Sequence, residues 1–197
     1  RGYGIVPAAG FNPQTLAHDY ALHAEVARAA GQPTMQIRPF FKWIYVHEDQ
    51  ETAEREGTRY ILRTLMAFAQ GGGRLFSTLI GKSVQTWGDE LARPEWLDSR
   101  IEQVMAAGIS YRDMVESGWT PFVAGTPEHV ADVLRPFVRA GGNFFIGGFK
   151  CGPMPADKVR ESMRLYMEEV VPRLEADTLP DHYDPPRIPV AAHTPSP

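Results

Sequence analysis

Hydrophobic positions change their period several times along the chain, and the changes mark out elements. Residues 3–8 form a short apolar run bounded by glycines, which reads as a buried strand. Asn12-Pro13 then offers an N-cap and a first-turn proline. From 13 to about 30, Leu16, Tyr20, Ala24 and Ala27 fall at helical spacing, and Gly31 ends the helix. Residues 37–46, IRPFFKWIYV, are aromatic and β-branched, so they predict a strand whose paired part starts near Phe40, after Pro39. Alternation sets Phe41, Trp43 and Tyr45 on one face and Phe40, Lys42, Ile44 and Val46 on the other. Both faces are largely apolar, as in a parallel sheet covered on both sides.

Between 47 and 125 the pattern is helical. Residues 50–70 carry Tyr60, Ile61, Leu65, Met66 and Phe68 at helical spacing, and GGGR at 71–74 breaks the chain. Shorter helical patches follow at 95–107 (Trp96, Leu97, Ile101, Val104, Met105) and 110–117, where Ser110 and Asp113 make a loose capping box. No strand is predicted in this stretch. Thr126 and Pro127 then open a helix with an apolar stripe of Val130, Val133, Leu134, Phe137 and Val138. Pro136, inside that stripe, predicts a kink or an early end. Gly141 and Gly142 close it. Residues 143–149 read as a strand that weakens at Gly147 and Gly148, where glycine marks a close approach to the backbone. The last helix, 155–174, would bury Val159, Met163, Tyr166, Val170 and Leu174. Residues 178–197 hold six prolines and little to bury, so a disordered tail is expected. Strands alternating with helices predict an α/β fold with a parallel sheet and right-handed crossovers.

The chain has 197 residues with a net charge of -4. That length suits one domain, and the charge gives no general attraction to nucleic acid or anionic membranes. Cys151 is the only cysteine, which excludes an internal disulfide and points to a reducing, cytoplasmic compartment. No apolar run is long enough for a membrane span. The opening residues, RGYGIVPAAG, read as a strand already under way, and three predicted strands are few for a sheet. Both lead to the expectation of a longer parent protein.

VAGTPEHVADVLRPFVRAGGNFFIGGF, at 123–149, with VRESMRLYMEEVVPRL after it, resembles the C-terminal region of luciferase-like flavin-dependent monooxygenases. FFKWIYVHEDQETAERE and YGIVPAAGFNPQTL resemble the preceding elements, so the likeness covers roughly residues 1–175. It implies a (β/α)8 TIM barrel with a helical insertion before its last helix-and-strand pair. By this analogy residues 3–8, 40–46 and 143–149 are late barrel strands within a partial barrel domain at 1–177. Residues 47–125 are the insertion, lying over the C-terminal mouth, and the barrel's first half is absent. The implied activity uses reduced FMN, or in one branch a deazaflavin, with oxygen and a small organic substrate, in a homo-oligomer when full length. A non-catalytic α/β binding module that kept only late barrel elements is the alternative.

Few residues carry candidate chemistry. His47 sits where a strand ends on the presumed mouth and could act as a base. His47-Glu48-Asp49 reads more readily as the start of a helix, where acids suit the dipole. Lys42, on an otherwise apolar strand face, must snorkel, pair or point into a polar interior. In the resemblance, Gly147 and Gly148 would let the flavin or a neighbouring strand come close, with Phe149 and Lys150 edging the pocket. Arg74, Arg100 and Arg112 are candidates for an anionic substrate, though solvated arginines are commoner. Cys151 reads as buried and unreactive. GGGR lacks the Lys-Ser/Thr of a phosphate loop. Trp43, Trp87, Trp96 and Trp119 could line a pocket or simply pack. His18, His23, His129, His182 and His193 lie on helices or in the tail, and no metal site is expected.

Overall fold

The computed structural model describes residues 4–6, 12–70, 99, 101–103, 105–107, 110–116, 122–175 and 177. Helix α1 (Pro13–Ala29) begins where the Asn12 side chain accepts from Thr15 N at 2.7 Å. It ends at Gly31, with φ +64, as Gln32 N bonds Ala27 O. Strand β1 (Pro39–Val46) and helix α2 (Gln50–Gln70) follow, and then helix α3 (Tyr111–Glu116) and strand β2 (Phe122–Gly125). Helix α4 (Pro127–Arg139) repeats the α1 solution. Thr126 Oγ1 accepts from His129 N, and Gly141, with φ +105, turns the chain as Gly142 N bonds Phe137 O. Strand β3 (Phe144–Gly148) leads to helix α5 (Ala156–Leu165), a π-helical turn (Tyr166–Val170) and helix α6 (Val171–Glu175).

The three described strands are parallel and ordered β2-β1-β3. β1 divides its pairing along its length. Pro39 to Trp43 lie opposite Phe144 to Gly148, whereas Trp43 to Val46 lie opposite Phe122 to Gly125. The expected alternation of β1 is present. Phe40, Ile44 and Val46 join Leu16, Tyr20 and the stripe of α4 in one core, beneath Leu165, Tyr166, Val170 and Leu174. Tyr45 and partly buried Trp43 join Ala53, Ile61, Tyr111, Phe122 and Met154 in the other. A Cβ on Gly57 would stand 2.7 Å from Ala124 Cβ, so this glycine lets α2 lie directly on β2.

Several expectations are corrected. Gly4 to Val6 form no strand; Gly4 lies against Met35, and the other residues of 3–8 lie outside the described set. β2 falls inside the stretch read as wholly helical, because four fully buried residues show no alternation. Pro39 is paired in β1 after all, at the strand's first position, where a missing N–H costs least. Pro136 does not end α4; it faces solvent while the buried stripe opposite holds the helix to Arg139. Met163 is exposed, and the buried positions of α5 are Ser162 and Leu165. A barrel pairing its strands in chain order would set β2 between β1 and β3, but β1 holds that place. The GGGR segment, Trp87, Trp96, Trp119 and the proline-rich tail at 178–197 lie outside the described residues.

Buried Ser162 has a specific task at the end of the sheet. His47 N bonds Gly125 O on the β2 side, so Val46 N points the other way, beyond the last residue of β3. There Ser162 Oγ accepts it at 2.8 Å. Ser162→Ala should leave this buried N–H unpaired and lower stability by about 1–3 kcal/mol. Urea unfolding of the two proteins checks this, with no loss as the contrary result.

Candidate functional site

Catalytic and binding groups of parallel α/β proteins gather at the carboxyl ends of the strands. Here the ends of β1 and β2 run directly into the first turns of α2 and α4. Among the described residues, Gln50, Glu54, Tyr111, Arg112, Val115 and His129 line a cleft of about 320 Å³ at that edge. Its polar groups form a nearly closed ring. Gln50 Oε1 accepts from Thr126 N at 2.9 Å, and its Nε2 donates to Glu54 Oε1 at 2.8 Å. Arg112 Nε donates to Glu54 Oε2 at 3.2 Å. The Tyr111 hydroxyl and His129 Nε2 lie 3.3 Å apart, and His129 N bonds Thr126 Oγ1. A Cβ on Gly125 would stand 2.4 Å from His129 Cδ2 and 2.8 Å from Gln50 Oε1. Glycine at this strand end is what lets the two side chains meet.

Burial sets the protonation of the ring. It pushes the Tyr111 hydroxyl up to about 12, so the phenol keeps its proton at neutral pH. It also lowers the His129 pKa, against the opposing charges of Glu54 and Asp132, leaving a neutral imidazole. Sequence reasoning passed over Gln50, Glu54, Tyr111 and His129. They are far apart in the chain, and each is an ordinary helix residue by type and spacing. Of the arginines the sequence offers, the structure brings Arg112 to the cleft, and Arg74 and Arg100 lie outside the described residues.

The other sequence candidates do not converge. Gly147 is hemmed by the Phe149 and Phe145 rings, and Gly148 by Trp43 and Phe41, with a Cβ at Gly148 only 2.6 Å from Trp43 Cδ1. The approaching groups are therefore the chain's own aromatics. Phe149 turns back to Tyr166, ring centroids 5.3 Å apart, and Lys150 Nζ donates to Met154 O. Cys151 is fully buried, and that burial pushes its thiol up to about 12. His47 Nδ1 accepts from Asp49 N at 3.0 Å, and Asp49 Oδ1 accepts from Thr52 N at 2.8 Å. This segment caps α2, as the acids beside His47 suggest. Lys42 is fully buried, its Nζ 4.0 Å from the centroid of Phe137, on the α4 side of the sheet. Among the described residues no three His, Cys, Asp or Glu side chains gather as a metal site, and no helix is long and apolar enough to cross a membrane.

A second polar cluster ties α2 to α5. Glu56 Oε2 accepts from the Tyr45 hydroxyl at 2.6 Å and from Lys158 Nζ at 2.5 Å. Burial alone would raise the Glu56 carboxyl, but these two donors and the Lys158 charge hold it below the usual range. With its acceptor oxygen already taken twice, this cluster reads as a strut.

No family model and no curated protein matches the chain. Among solved structures its fold is similar to that of monooxygenase RslO1 from Streptomyces bottropensis, at 18% identity and a TM-score of 0.52, over 87% of this chain and 42% of that one. The coenzyme F420 dependent tetrahydromethanopterin reductase from Methanopyrus kandleri matches at 17% identity and a TM-score of 0.45, over 83% of this chain and 43% of that one. The chain spans less than half the length of either structure. At such identity the RslO1 likeness describes the fold, a mixed α/β arrangement on a parallel sheet.

Buried Lys42 makes stability depend on pH. Desolvation lowers its pKa from 10.5 to about 7. Above pH 7 the unfolded chain therefore holds a proton that the folded chain has lost, and stability rises with pH. The window for this is pH 7 to 8, since the raised Cys151 thiol acts oppositely as pH nears its ordinary value of 9.0, and the raised hydroxyls of Tyr20, Tyr45 and Tyr166 do so above pH 10. Lys42→Met should flatten the rise in urea midpoint between pH 7 and 8. An unchanged slope would place the dependence elsewhere.

Proposed function

We propose that this chain is the C-terminal portion of a luciferase-like flavin-dependent monooxygenase, which uses reduced FMN and oxygen to oxidise a small organic substrate. The observation that carries the reading is the fold likeness to a protein described as a monooxygenase, over 87% of this chain. The polar cleft at the strand ends supports an enzymatic role, because parallel α/β folds place their chemistry there.

Flavin would supply the electrons for oxygen activation, and protein groups would supply position and the exclusion of water. The tip of β3 does not fit the cofactor by itself. The space beside Gly147 and Gly148 holds Phe145, Phe149, Phe41 and Trp43, and the Lys150 ammonium is turned to the Met154 carbonyl. In this reading most flavin contacts come from a part of the protein outside this chain. The contribution of these residues is then the cleft, where Arg112, Tyr111 and His129 would receive the substrate.

Anaerobic titration of the protein, in the length its cell makes, with reduced FMN and separately with a reduced deazaflavin tests the proposal. One-to-one binding of FMN, followed by faster oxygen uptake on aeration than free FMN shows, is the expected result. Binding of the deazaflavin alone would move the protein to that branch. Binding of neither would remove the flavin reading.

A further inference from the structure

The cleft at the ends of β1 and β2 has a chemical bias of its own, set by which of its polar groups are already used. Gln50 is engaged at both ends, by Thr126 N and by Glu54. Glu54 is taken up in turn by Gln50 and by Arg112 Nε, and its side chain is only 18% exposed. The Arg112 side chain, by contrast, is 72% exposed. Its ion pair with Glu54 runs through Nε, so among the described residues the terminal nitrogens of this largely exposed guanidinium are not the ones Glu54 occupies. Glu54 therefore aims Arg112 more than it satisfies it. Beside the fork stand the neutral His129 ring and the protonated Tyr111 hydroxyl, with Val115 and the Tyr111 ring as apolar walls.

We infer that this cleft binds a small molecule with an apolar body and a single carboxylate, which docks on the outer fork of Arg112 beside His129. A carboxylate matches the planar fork in two parallel hydrogen bonds, and such charge-assisted pairs are the stronger ones. A phosphate dianion is disfavoured. It would bring two negative charges up to the shielded Glu54 carboxylate, with Arg112 as the cation of the cleft lining. The volume, about 320 Å³, lies at the small end of ordinary ligand pockets, so the body is on the scale of one or two rings. The first turns of α2 and α4 also end at this edge, and their dipoles favour an anion. The inference rests on the enzymatic reading only in making this ligand the substrate, since the binding itself involves no flavin.

The test uses benzoate and its uncharged analogue benzyl alcohol, titrated into the full-length protein and followed by the histidine ring signals in NMR. The His129 signal is assigned by its loss in His129→Gln. Benzoate should shift that signal saturably, and benzyl alcohol should bind about tenfold more weakly or worse, as expected for loss of a charge-assisted pair. Arg112→Gln should abolish the preference, Arg112→Lys should keep part of it, and Arg55→Gln, at an exposed site outside the cleft, should keep all of it. An unmoved His129 signal, equal binding of the two probes, or a preference that survives in Arg112→Gln would overturn the inference. Failure of FMN to bind in a protein that still prefers benzoate would remove the flavin reading and leave this one standing.

Discussion

Among the described residues β1 is the middle strand of a three-stranded parallel sheet, and nearly every other described element is placed by what that strand requires. A middle strand has no solvent face, so both rows of its side chains must be covered. Phe40, Ile44 and Val46 call for α1, α4 and the last helix, while Trp43 and Tyr45 call for α2. The strand's ends are tied as firmly as its faces. Tyr20 donates its hydroxyl to Pro39 O, and buried Arg38 is clasped by Asn143 and Gly141. At the far end Ser162 completes a ladder that β3 leaves short. Three elements distant in sequence thus converge on β1 and the Arg38 before it.

The same constraint creates the cleft. Because β1 and β2 finish level with one another, with Val46 opposite Gly125, the first turns of α2 and α4 start side by side. Gln50 and His129 then share the space that a side chain at position 125 would fill. The polar ring follows from that meeting. The region at the tip of β3 is different in kind: it is packed with the aromatic rings of Phe145, Phe149, Phe41 and Trp43. At the opposite end of β3, Phe144 is 53% exposed. If the chain works as part of a larger α/β enzyme, this edge is where further structure would be most needed.

Much of the fold could be read from the residues because the signals were local. Asn12-Pro13 and Thr126-Pro127 cap helices, Gly31 and Gly141 end them, and alternation from Phe40 to Val46 gives both faces of β1 correctly. The failures were also local in cause. β2 is too short to show a period, and Ser162 is polar, so hydrophobic spacing put Met163 in its place. The cleft was largely illegible. Gln50, Tyr111 and His129 are each ordinary helix residues, and only the register of β1 against β2 brings them together. Gly147 and Gly148 mark a close approach, as glycines in a strand suggest, and at Gly148 the approaching groups are Trp43 and Phe41 of the neighbouring strand.

Hydrogen exchange of the backbone amides tests the central place of β1 most directly. Ile44, Tyr45 and Val46 should be among the last amides to exchange, with Val46 as well protected as its neighbours because Ser162 covers it beyond the end of β3. Amides of the edge strand β3 should exchange earlier. If Val46 exchanges as fast as surface amides, or β3 outlasts β1, then β1 is not the strand on which the structure is built.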